Sequence, residues 1–279
     1  MTTLLLRSGR LALDLAAHAG GSITRFARDG HDLMRPAATP SGKDNACYPL
    51  APFSNRIANG SVAVDGTTIR LAPNWPGQRH PMHGDAWARP WHEVRSDDRS
   101  AEIVYEHDGS TGWPLRYRVR QDFRLDAHAL AVRMSLENLE ARTVPGGMGL
   151  HPFFMRDADT ELAFRSEAVW LADAEVLPTE RVAVPPKWDF SRTRRVDGIE
   201  LDNCFTGWDG NAAIVWPSRG VRLDLAATEP FRHLVVFVPP GRNFFCVEPV
   251  SHANGAIAST RLAAGATLQG EVAFTISDL

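Results

Sequence analysis

The chain has 279 residues, 44% of them hydrophobic, and a formal net charge of −3. That length and apolar content suffice for a substantial core, and the interspersed, nearly balanced charge excludes a nucleic-acid surface and a polybasic membrane patch. The cysteines, Cys47, Cys204 and Cys246, are odd in number, widely separated and without a CxxC pair, which fits a reducing compartment better than a disulfide scaffold.

The opening MTTLLLRSGR has three consecutive leucines before Arg7, too few for a signal-peptide core, and no later segment approaches a membrane span. A cytoplasmic globular protein is expected, with no nucleic-acid or membrane partner. Leu11, Leu13 and Leu15 then alternate with polar or small residues, the pattern of a half-buried strand. Gly20-Gly21 turns the chain into Ser22–Arg28, and Asp29-Gly30 turns it again. Val62–Val64, Asp65-Gly66 and Thr67–Leu71 read as a hairpin. Further strands are expected at Glu102–Glu106, Tyr117–Leu125, Leu130–Leu136, Glu161–Arg165, Ala212–Trp216, Val221–Leu225, His233–Val238 and Thr267–Ile276. Helical periodicity is scarce, so an all-β sandwich or barrel is expected rather than a doubly wound sheet. With no repeat or linker, residues 1–279 read as one domain.

Near the end of the chain, NFFCVEPVSHANGA carries an apolar run, Phe244–Val247, with Glu248 at its end and Pro249 next. A carboxylate at the mouth of a buried strand is partly desolvated, which raises its pKa towards that of a useful base; a surface ion pair is the alternative. Two long irregular stretches, Pro36–Asn55 and Ala72–Trp91, have the length of functional loops. The first leads into Ser54-Asn55-Arg56, where Arg56 either aims its donors into a cleft or pairs with an acidic residue. The second carries His80 and His83. The proline between them and the want of a third ligand argue against a metal site, while Gly84 would let a ligand approach the His83 backbone. In GGMGLHPFF, His151 is either a core histidine or a desolvated general acid. In LDNCF, Asp202 either shapes a turn or accepts hydrogen bonds from ligand hydroxyls. Trp75, Trp87, Trp113 and Trp208 fall in loops or turns, where indole faces either pack or stack on sugar rings.

Together these stretches resemble the aldose 1-epimerase (galactose mutarotase) family, from about Asn45 to the C-terminus. SNRIANG resembles its Asn-Arg-Ile-x-x-Gly segment, MHGD its Leu-His-Gly-Gly, DGSTGWPLRYRV its acidic Gly-Tyr-Pro turn, and GLHPFF its His-x-Tyr-Phe. LPTERVAVPPKWDFS carries Pro-Thr and Asp-Phe elements, LDNCF resembles Asp-His/Asn-x-Phe, and VEPVSHANGA the late Glu-containing segment. The resemblance implies a large antiparallel β-sandwich of the galactose mutarotase-like supersandwich type, with a sugar groove on one sheet and neither metal nor organic cofactor. It implies that Glu248 is the base and His151 the acid, and that His83, Arg56, Asn55 and Asp202 hold the sugar. A monomer or homodimer acting on a free aldose is expected. The chain departs from the pattern at Asp85, where a second Gly is common, at Pro152-Phe153, and at Pro249–His252. The alternatives are a phosphosugar 1-epimerase using Arg79 and Arg89, a non-catalytic sugar-binding protein, and a glycosidase pairing Asp202 with Glu248.

Overall fold

The fold is that of two large antiparallel sheets, given by a computed structural model that describes residues 3–39, 41, 44–64, 66–110 and 112–279. The larger sheet runs, in spatial order, through Leu4–Ser8, Leu11–Ala16, Ser22–Arg28, Cys47–Leu50, Gly149–Met155, Phe244–Val250, His233–Val238, Leu201–Thr206, Ala168–Ala172 and Pro178–Ala183. The other runs through Arg194–Arg195, Glu161–Phe164, Asn211–Trp216, Val221–Ala227, Thr267–Asp278, Ala129–Asn138, Tyr117–Leu125, Ser100–His107 and His92–Ser96. Helical structure among the described residues is limited to single 3-10 turns.

Alternation places the core. In Tyr117–Leu125 every second residue is buried, and Tyr117, Val119, Phe123 and Leu125 join the main core while the arginines between them face outwards. In Phe244–Val250 the residues alternate between two apolar clusters instead. Phe245 and Val247 belong to the core between the sheets, whereas Cys246 and Val250 belong to a second cluster with Tyr48, Phe153, Cys204 and Val235. The central strands of the larger sheet are therefore covered on both faces, which is why they read as unbroken apolar runs.

The strands expected at Ser22–Arg28, Tyr117–Leu125 and His233–Val238 have those limits, and the other expected strands differ by one to three residues at an end. The hairpin at Val62 pairs Val64 with Thr67, though Asp65 of its turn lies outside the described residues. Three expectations need correction. Glu248 is not at the mouth of its strand but inside it, because the strand runs on through Pro249 to Val250. Asp202 lies in the strand Leu201–Thr206 rather than in a turn. The irregular stretch Pro36–Asn55 contains the strand Cys47–Leu50. Prolines conceal the first and third of these, since Pro49 and Pro249 lack the N–H that a ladder uses.

Phe274, fully buried, joins the sheets through Phe26 (ring centroids 6.5 Å apart) and Phe154 (6.1 Å), the latter on the strand that carries His151. Phe274→Ala is expected to cost about 3–5 kcal/mol in urea unfolding; a cost under about 1 kcal/mol would mean the sheets do not depend on this contact.

Candidate active site

The site is built on the outer face of the larger sheet, where its central ladder is interrupted. Gly149 pairs with Val250 and Phe153 with Cys246, with no pairing between them. Pro152 and Pro249 fall in this gap. The same register sets His151 directly opposite Glu248, and the side chains meet, His151 Nε2 lying 3.3 Å from Glu248 Oε1. On the next strands the register brings Tyr48 beside His151, and Phe237 and Asp202 into the row of Cys246. The His151 ring stacks on Phe153 (4.5 Å, 16° between planes) and lies 4.7 Å from the Tyr48 ring, so its orientation is fixed by packing.

Two loops wall this floor. Asn55 N–H donates to His83 Nδ1 (3.1 Å) while His83 N–H donates to the Asn55 carbonyl (3.0 Å). Accepting at Nδ1 places the proton of a neutral His83 on Nε2, leaving that N–H free to donate. Asn55 and His83 both take left-handed backbone conformations (φ 55° and 65°), and this reciprocal pair holds them there. Gly84 is required as glycine: a Cβ would lie 2.0 Å from the Ala51 carbonyl oxygen, at φ +66°. Behind the first loop, His252 Nε2 accepts from the Ser54 N–H (3.1 Å) and Nδ1 donates to the Ala253 carbonyl (2.8 Å). His252 thereby ties the chain after Glu248 to the turn that presents Asn55 and Arg56.

Floor and loops enclose a cavity of about 350 Å³ whose lining includes Glu248, His151, His83, Arg56, Asn55, Asp202, Arg35, Tyr48 and Trp75. Its size and few convergent polar groups are those of a small-molecule site. Burial dominates the electrostatics. It pushes the Glu248 carboxyl well above its ordinary range, with Asp202 raising it further and Arg56 opposing. It pushes the His151 imidazole down to about 3, and His83 well below its ordinary value. Asp202 is raised by burial against the pull of Arg56. Glu248 Oε2 and Arg56 Nε are buried without a hydrogen-bond partner, polar capacity left at a cavity wall.

The sequence profile described as Aldose 1-epimerase matches residues 3–275. The chain belongs to the aldose 1-epimerase family. It is 34% identical over 262 residues to the uncharacterised protein YphB of Escherichia coli K12, covering 91% of this chain and 89% of that one. A solved structure from E. coli K12, provisionally named an aldose 1-epimerase, superposes with a TM-score of 0.93 at 32% identity, covering 100% of this chain and 99% of that one. An aldose 1-epimerase of E. coli K12 is 25% identical over 166 residues, 55% of this chain and 45% of that one. At 15% identity, a Caenorhabditis elegans GalM/aldose epimerase homologue shares the fold (TM-score 0.87, 100% and 99% covered).

Within this aldose 1-epimerase fold, the six residues singled out in the sequence, Glu248, His151, His83, Arg56, Asn55 and Asp202, all line one cavity. Other expectations fall elsewhere. Arg79 is paired with Glu175 (3.0 Å) and Arg89 with Asp85 (3.5 Å), and neither lines this cavity. His80 does not line this cavity, and its Nδ1 accepts from the Asn59 N–H (3.0 Å). Of the four loop tryptophans Trp75 lines the cavity, while Trp87, Trp113 and Trp208 are buried in packing. Sequence reasoning missed Arg35, Tyr48 and His252. The only signal for Tyr48 was its place in the apolar run CYPL, and for His252 its spacing of four from Glu248.

His252 has a consequence for stability. Burial lowers its pKa from 6.5 to about 4, so it is neutral in the folded protein at pH 5 while the unfolded chain takes up the proton. Its contribution is therefore present above pH 6.5 and lost as pH falls towards 4, amounting to about 2 kcal/mol between pH 7 and pH 5. In His252→Asn, urea unfolding should show a shallower loss over that interval by about this amount; a slope equal to wild type would show that His252 is not held neutral.

Proposed function

We propose that the protein is an aldose 1-epimerase in activity as well as in family, interconverting the α and β anomers of a free aldose. The observation that carries this reading is the contact of Glu248 with His151 on the floor of a cavity lined by polar groups.

Ring opening requires that the C1 hydroxyl lose a proton and the ring oxygen gain one. Glu248 takes the first and His151 gives the second; rotation about C1–C2 and the reverse transfers close the other face. The pair holds one proton throughout. With the proton on His151, Glu248 is ready to act as base; after ring opening the proton is on Glu248 and His151 is neutral. Burial favours the second, uncharged form, so a bound sugar must stabilise the first. Arg56, whose charge favours ionised Glu248, contributes to that. His83, protonated at Nε2, donates to an oxygen where charge develops, and Asn55, Asp202 and Arg56 hold the opened sugar for re-closure. No cofactor is needed.

Arg35 favours a second reading, an aldose with an anionic substituent such as phosphate. Its guanidinium lies over the rings of Phe153 (4.0 Å) and Phe244 (4.7 Å) at the cavity wall.

NMR exchange spectroscopy on a panel of free aldoses and hexose phosphates tests both readings. Accelerated anomer exchange is expected, with Glu248→Gln and His151→Asn each reducing kcat by at least about 10²-fold while changing sugar affinity little. Near wild-type exchange in either variant would remove that residue from the mechanism, and exchange of phosphorylated sugars alone would select the second reading. The pH dependence is a separate check. A second proton reaches the pair only near pH 3, where burial has moved His151. The exchange rate should therefore show no acidic limb centred near 6.5; such a limb, as an ordinary imidazole would give, contradicts the shared-proton pair.

A further inference from the structure

One buried donor beside the proton-transfer pair, Cys246, takes no part in the proposed transfers. Cys246 lies two residues before Glu248 on the same strand and faces the same side of the sheet, fully buried between Phe153 and Phe237 on the neighbouring strands. Its Sγ, a ring nitrogen of His151 and a carboxylate oxygen of Glu248 all lie within 4.8 Å of one another. Three ligands bound tetrahedrally at about 2.0–2.3 Å are about 3.3–3.6 Å apart. The His151–Glu248 pair already has that spacing at 3.3 Å, and a side-chain shift of about 1 Å brings Cys246 to it.

We propose that Cys246, His151 and Glu248 form a three-ligand site for a thiophilic divalent cation of the zinc class, and that its occupation shuts the active site. Sulfur, imidazole and carboxylate together select zinc or cobalt over magnesium and calcium. Glu248 and His151 line the cavity, so the fourth coordination position opens to it and takes water. Binding breaks the Cys246 S–H bond and displaces the one proton held by the Glu248–His151 pair; metal–sulfur, metal–nitrogen and metal–oxygen bonds form, both protons leave to solvent, and affinity rises with pH. Neutral His151 offers the metal a ring-nitrogen lone pair, and desolvated Glu248 gains a counter-charge. Both groups that would move protons are then committed to the metal. The inhibition rests on the mutarotase reading; the binding does not.

The test adds CoCl₂ to the purified full-length protein. A 1:1 complex with a near-ultraviolet thiolate-to-cobalt band, displaced by ZnCl₂, is expected. Cys246→Ser should lose the band and weaken cobalt binding by more than about 100-fold, Cys246→Ala should do the same, and Cys47→Ser should keep it. Dispersed NMR spectra of each variant establish that it is folded. No band at millimolar cobalt, or a band that survives in both folded Cys246 variants, overturns the site. Anomer exchange is followed in parallel. Metal-free exchange that ZnCl₂ stops and a chelator restores, and that Cys246→Ala keeps even with ZnCl₂ present, is the expected result. Exchange unaffected by bound zinc overturns the regulation. A cobalt band without exchange of any sugar leaves the metal site standing and removes the mutarotase reading instead.

Discussion

The arrangement depends on placing one carboxyl and one imidazole face to face in a site that water scarcely reaches. Across an antiparallel pair, opposed residues have Cβ atoms about 4.5–5.5 Å apart, close enough for Glu248 and His151 to meet without any loop having to deliver them. The prolines at 152 and 249 remove ladder donors on both strands, and the pair occupies the resulting gap. The polar pair is thus held by strands that are packed on both faces, and its position is as rigid as the sheet.

Burial gives the pair its chemistry. A separated His⁺ and Glu⁻ are disfavoured when desolvated, and so are two protonated groups. Burial therefore favours the uncharged forms of both groups, and the ring opening proposed above uses a single proton carried by the pair. Arg56 works against the neutral form of Glu248 and of Asp202, so the balance between charged and neutral states is set by a residue from a different loop.

The loop that carries His83 is anchored from the opposite sheet. Asp85, where the family resemblance commonly has a second glycine, follows the His83-Gly84 corner and accepts from the Tyr117 hydroxyl (2.6 Å). Its other oxygen lies 3.2 Å from His107 Nδ1. Tyr117 and His107 belong to strands of the nine-stranded sheet, so the corner that carries His83 is tied to the layer behind the core. The departure at Asp85 is therefore a structural tether rather than a member of the cavity wall.

Strand positions with clean alternation, such as Tyr117–Leu125 and His233–Val238, could be read from the sequence because one residue in two must face a core. Five of the six polar residues later found at one cavity had a local signal: Glu248 after an apolar run, His151 before a proline and two aromatics, Arg56 at the end of a long loop, His83 before a glycine, Asp202 among apolar residues; Asn55, and the choice of a functional over a structural reading for the others, came with the family resemblance. What the sequence could not supply was who faces whom. The strands Cys47–Leu50 and Gly149–Met155 were hidden by their prolines, so the partners of His151, Tyr48 on one side and Glu248 on the other, were invisible. Arg35 was hidden because its stacking on Phe153 and Phe244 joins strands distant in the chain. Local patterning fixes which face of a strand is buried; register across the sheet, which depends on every strand pairing at once, decides which buried groups meet.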